Sequence, residues 1–188
     1  MTLEEYGAVF AEALSLTRIA VAEETLLHPV ADEVLEMAVA YQSDGTAFLA
    51  DDPVNSLAAF AYGLGWLDAG SRLGLFEPLA AHPPDGVDAV IPDRHGAHLD
   101  EKTHRYRRML HSALLVVRAG PDEASPLSAG AEVFRSVASS RYAEGVERLD
   151  AGDLAGALAR FSYGYAWLDA GVRAGLLGII GDRGLFTV

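Results

Sequence analysis

The chain contains no cysteine. Disulfides, thiolate metal sites and thiol nucleophiles are therefore excluded. Lysine is almost missing too: Lys102 is the sole lysine among 14 basic residues, and the rest are arginines. Against them stand 27 acidic residues, giving a formal net charge of −13. That balance disfavours non-specific binding to phosphate backbones, so nucleic acid is not the expected partner. Two readings of the acidity compete. One is an acidic face for a basic partner. The other is adaptation to a halophilic, high-salt cytoplasm, where hydrated carboxylates keep the surface soluble and salt screens their repulsion. The shortage of lysine favours the second. Long apolar runs are also missing. The segment ALLVV (113–117) lies between His111 and Arg118, and no run approaches the roughly 20 residues of a membrane helix. The opening MTLEEY carries carboxylates where a secretory signal carries basic residues. The expectation is a soluble cytoplasmic protein.

What is present is a repeat. YGLGWLDAG (62–70) returns as YGYAWLDAG (163–171). Aligning Asp52 with Asp153 brings Leu57 to Leu158, Phe60 to Phe161, Arg72 to Arg173 and Gly74-Leu75 to Gly175-Leu176. With a register change of one residue the match runs upstream, Tyr6 and Ala13-Leu14 meeting Tyr106 and Ala113-Leu114. A unit of about 80 residues is small-domain size.

Each unit reads as three helices. The first starts at Thr2, where Glu5 completes a capping box, and runs to about Glu24. The second follows His28-Pro29 and runs as far as Ala50. The third opens on Asp52-Pro53, an N-cap followed by proline, and ends near Gly70 or Gly74. In unit two the helices span about Asp100–Ala119, Ser128–Ala151 and Asp153–Gly175. Between them HPPDGVDAVIPDRHGAH (82–98) has turn composition and no helical period. The expected fold is all-α: two homologous three-helix units, 1–81 and 100–188, joined by a Pro/Gly/Asp-rich linker, 82–99, and packed as a helical bundle or a helical-repeat-like body.

The third helix is apolar nearly all round, the mark of a central, buried helix. Tyr62 and Trp66, like Tyr163 and Trp167, fill volume, and each polar tip calls for one partner. Asp68 stands four residues before Arg72, and Asp169 four before Arg173, which predicts i,i+4 ion pairs at the helix exits. A pocket using Asp68 or Asp169 as a buried acid is the functional alternative, but no second catalytic group recurs beside either in sequence.

The order of these residues, with WLDAG in this frame, resembles the archaeal proteins grouped as domain of unknown function family 357. The resemblance covers both units. It implies short antiparallel helices and an archaeal source, and it implies no activity. Asp51-Asp52-Pro53 departs from the Gly-Asp of unit two. The two domains sit in one chain, so if single-domain relatives self-associate, this chain builds the pair internally.

Other groups carry candidate chemistry. His95 and His98, flanked by Asp93 and Asp100, could ligate a metal, though no cysteine supports them. Arg105 and His111 in HRYRRMLH resemble the motif of HEPN-type helical ribonucleases, where the pair would polarise a phosphate and move a proton. Arg105, Arg107 and Arg108 form a basic island that suits an acidic partner or the chain's own carboxylates. No phosphate loop or nucleophile elbow occurs, and no cofactor is expected. The preferred function is a non-catalytic protein-interaction or scaffold module with an aromatic groove between second and third helices. The alternative is an RNA-processing enzyme using Arg105 and His111.

Overall fold

The computed structural model describes residues 1–78, 81–87 and 89–187. Unit one holds α1 (Leu3–Leu16), α2 (His28–Phe48) and α3 (Pro53–Arg72). Unit two holds α4 (Gly96–Val116), α5 (Pro126–Asp150) and α6 (Leu154–Arg173). The helices pack on one another, and the fold is all-α.

Local chemistry sets the boundaries. Thr2 and Glu5 form the capping box, each side chain meeting the other's backbone N–H at 3.2 and 2.8 Å. Asp52 caps α3 through the Asn55 N–H at 3.1 Å, with Pro53 at the first helical position. Asp153 caps α6 through the Gly156 N–H. Both central helices stop before a glycine in the left-handed region, Gly74 at φ 75° and Gly175 at φ 73°, which a side chain at Cβ would strain.

Three expectations are corrected. Helix α1 ends at Leu16, not near Glu24, because Thr17 turns extended and Arg18–Ile19 leaves as β1. It pairs antiparallel with β2 (Phe76–Glu77), and this pairing buries Phe76 against Gly70 and Val34. Likewise α4 ends at Val116, and β3 (Val117–Ala119) pairs with β4 (Leu177–Ile179). Finally, α4 begins at Gly96, inside the stretch read as linker, after a short 3-10 turn at Asp93–His95. Pro84, Val87 and Ala89 of that stretch are buried, so it is a strap across the body rather than a free loop.

Helices α3 and α6 form the centre. Eighteen of the 20 residues of α3 and 17 of the 20 of α6 are buried. Each fully buried large side chain contributes about 1.5–3 kcal/mol of transfer free energy. Two glycines permit the approach of neighbours. A Cβ on Gly63 would lie 2.6 Å from the Phe10 ring, and one on Gly65 would lie 2.7 Å from the Ala166 Cβ and from the Tyr163 carbonyl oxygen. Gly65 and Ala166 are the same position in the two repeats, so the central helices cross at their equivalent points.

Candidate functional site

Around that crossing the repeated phrase closes on itself. The Tyr62 hydroxyl donates to Asp169 Oδ2, and the Tyr163 hydroxyl donates to Asp68 Oδ2 at 2.6 Å. The contacts run antiparallel, Tyr62 to Asp169, Gly65 to Ala166, and Asp68 to Tyr163. Each aspartate is also held by chain that follows its own helix. Asp68 accepts from the His82 backbone N–H at 2.5 Å and from its Nδ1–H at 2.8 Å. Asp169 accepts from the Thr187 N–H at 3.2 Å. Both carboxylates are essentially removed from solvent, at 2% and 0% exposure.

The expected i,i+4 ion pairs do not form. Asp68 and Asp169 face the opposite central helix, while Arg72 and Arg173 reach solvent. Arg173 instead pairs with Glu33 across the units at 2.5 Å. The expected indole partners are missing too. Among the described residues Trp66 Nε1 and Trp167 Nε1 find no acceptor, and the rings instead make aromatic contacts, Trp66 with Tyr62 and Trp167 with Phe134.

Burial drives the electrostatics. It pushes the Asp169 carboxyl up to about 6, with the Tyr62 and Thr187 hydrogen bonds opposing it. Burial first, and then the charge of Asp68, raises the Tyr163 phenol. The hydrogen bond to Asp68 raises the His82 imidazole, against a smaller effect of burial. His82 of this pair lines a cleft of about 50 Å³ together with Ser71 and Thr17. Thr17 spends its hydroxyl on the Ala13 carbonyl, and no hydrogen bond joins Ser71 to the His82 ring. The dyad therefore anchors the strap and does not, in this geometry, activate a nucleophile.

A larger cavity of about 190 Å³ opens on the unit-one side of the seam. Tyr41, Asp44 and Phe48 of α2 form one wall, and Asn55, Ala58, Ala59 and Tyr62 of α3 the floor. The other unit closes it with Lys102, Tyr106 and Met109 of α4, together with Tyr165 and Thr187. Lys102 is 7% exposed. It donates to Asn55 Oδ1 and stands 5.2 Å from the Tyr106 ring centroid. Burial, reinforced by Arg105, lowers its ammonium.

The repeat supplies a mate to this cavity. Gly45 and Gly145 face the rings of Phe60 and Phe161, which sets the second helices in register. Tyr41 then corresponds to Arg141, Asp44 to Glu144, Ala59 to Arg160 and Tyr106 to Tyr6. At the mate position the strap lies against the arginines. Asp85 receives Arg141 at 2.9 Å and Arg160 at 3.4 Å, and Glu144 receives Arg141 at 2.6 Å. One groove is occupied by a carboxylate of the chain's own strap, and the other is open.

The remaining sequence candidates do not converge. Six positions separate Arg105 from His111, about 240° around a helix, so they leave α4 in different directions. Arg105 lies 3.7 Å from Glu101, and His111 stacks on Tyr142 at 5.5 Å. His95 accepts from the Arg94 side chain, while His98 lies 3.5 Å from Asp52. Among the described residues no group of three or more metal-binding side chains assembles, and no helix is long and apolar enough to cross a membrane. Sequence reasoning missed Lys102, Asp85 and His82 as partners. A trace existed: Tyr62 and Asp68 are six residues apart and so cannot meet on one helix, yet both recur.

No curated protein and no solved structure matches the chain. A family model described as a protein of unknown function (DUF357) matches twice, over residues 5–76 and 105–177. These segments contain α2, α3, α5 and α6 whole, α1 from residue 5 and α4 from residue 105, and they include both halves of the clasp. The chain belongs to the DUF357 family and carries its domain in two tandem copies.

Proposed function

We propose that the protein is a non-catalytic binding module that presents the open cavity between its units to a protein partner. One observation carries this reading: of two grooves related by the repeat, one is occupied by a carboxylate of the chain's own strap and the other keeps aromatic walls and a buried cation exposed to an incoming group. Pockets of mixed aromatic and polar lining are the usual places of recognition. The charge balance and the family resemblance support a salt-rich archaeal cytoplasm as its setting. The duplicated seam supports self-pairing of single-domain relatives.

The test is an affinity capture from extract of the source cells at their own salt concentration. Wild type is compared with Ala59→Arg, which places in the open groove the residue that fills its mate. A stoichiometric protein held by wild type and released by the variant is expected. Identical captures, or none, remove the reading. RNA captured without protein would transfer attention to Arg105 and His111.

A further inference from the structure

The geometry points to an extended peptide segment bearing a carboxylate as the occupant of the open cavity, its acidic side chain beside Lys102, as Asp85 of the strap sits beside Arg141 and Arg160. This rests on the reading of the cavity as a binding site and names the chemistry it takes.

Among the described residues no carboxylate pairs directly with Lys102. Among the described residues its polar partner is the neutral Asn55 amide, and Asn55 in turn donates to Asp52 at 2.6 Å. Asp52 is already occupied as the cap of α3. Asp52 and Glu101 act on this cation only through space, and a carboxylate brought beside it forms the direct charge-assisted hydrogen bond that the neutral amide does not supply.

The mate groove shows what kind of group fits. There an extended segment, His82–Val87, leaves its aspartate anchor and three residues later delivers Asp85 to two arginines. Thr187 holds Asp169 as His82 holds Asp68, and it stands at the rim of the open cavity. Glu144 in the occupied groove coexists with Asp85 because cations separate them. Its counterpart Asp44 is exposed, so solvent screens it, whereas Lys102 is buried and acts at full strength. Arg105, three residues on from Lys102 on α4, is the arginine whose charge reaches it. A volume of about 190 Å³ is near that of the engineered cavity of about 150 Å³ that accepts benzene. It admits one side chain, not a folded domain.

The experiment is calorimetric titration of the full chain with a blocked peptide, Pro-Pro-Asp-Gly-Val, the sequence of residues 83–87, and with its Asn counterpart. The Asp peptide is expected to bind saturably and the Asn peptide about tenfold more weakly, the usual worth of one charged hydrogen bond. Lys102→Met keeps the buried stem and should reduce the Asp peptide to the level of the Asn peptide. Lys102→Arg should retain the difference, and Ala59→Arg should abolish binding of both. Circular dichroism confirms that each variant is folded. Absence of saturable binding, equal binding of the two peptides, or indifference to Lys102→Met overturns the proposal. Acetate binding as tightly as the peptide also overturns it, in favour of a free small acid. If these titrations fail while partner capture stays sensitive to Ala59→Arg, the cavity remains a binding site and only its carboxylate chemistry falls.

Discussion

Asp169 concentrates the residue-scale physics of the seam. Its carboxylate is at 0% exposure, and burial outweighs the hydrogen bonds it accepts, so the acid is held at about 6 against an ordinary 3.8. The protonated form is thus favoured in the folded state. Its contribution is fully present below pH 3.8 and is lost as pH rises through about 6, a swing of about 3 kcal/mol. His82 works in the same sense, since its raised imidazole contributes below the ordinary histidine range and loses that contribution as pH rises through its folded value. Asp169→Asn keeps an acceptor for Tyr62 and cannot titrate. Relative to wild type, the variant should gain about 2–3 kcal/mol between pH 4 and pH 8, read from urea midpoints at each pH. A constant difference across that range would show that Asp169 is not held protonated. The role of this residue was not legible in sequence, where Arg173 was its nearest suitable partner; its actual partner lies 107 residues away.

Among elements, the crossing of α3 and α6 is set by absence of a side chain. Alanine at position 65 would bring its Cβ to 2.7 Å from a backbone carbonyl, which cannot yield as a flexible side chain can. Gly65→Ala gains about 1 kcal/mol of helix propensity and meets about 1–3 kcal/mol of overpacking. The net expectation is destabilisation by up to about 2 kcal/mol. Gly96→Ala is the control: nothing lies within 4 Å of its Cβ position and its φ of −56° is helical, so it should stabilise by a few tenths to about 1 kcal/mol. Opposite signs in thermal unfolding are the check. Helix starts and stops were largely readable, because caps such as Asp52-Pro53 and the glycines at 74 and 175 act within one turn. The short β1–β2 and β3–β4 pairs were not, since partners such as Ile19 and Phe76 are far apart in sequence.

The whole molecule is a pair of domains clasped by their duplicate phrases, wrapped by a strap, and strongly acidic. With 27 acidic and 14 basic residues, self-repulsion outweighs the gains of exposed ion pairs. Raising potassium chloride from about 0.1 M to about 1 M shortens the screening length from about 10 Å to about 3 Å. The melting temperature should rise over that range, and a fall would show that its ion pairs dominate. The seam predicts association as well. Halves 1–81 and 82–188, expressed together, should co-purify as one complex, because either alone exposes the apolar face of its central helix. Independent monomers in gel filtration would show that the seam is incidental.

By itself the sequence determined the duplication, the helical class, the caps and the burial of the two WLDAG helices. These follow from periodicity and from interactions spanning a few residues. Only the tertiary structure decided what the phrase joins. Tyr62 and Asp68 point away from each other on one helix, and the antiparallel crossing at Gly65 and Ala166 brings each to its counterpart on the other. It also decided which groove is occupied, because Asp85 acts on residues 56 and 75 positions further along the chain. Contacts at such separations depend on how whole helices pack, and no local pattern of residue types encodes them.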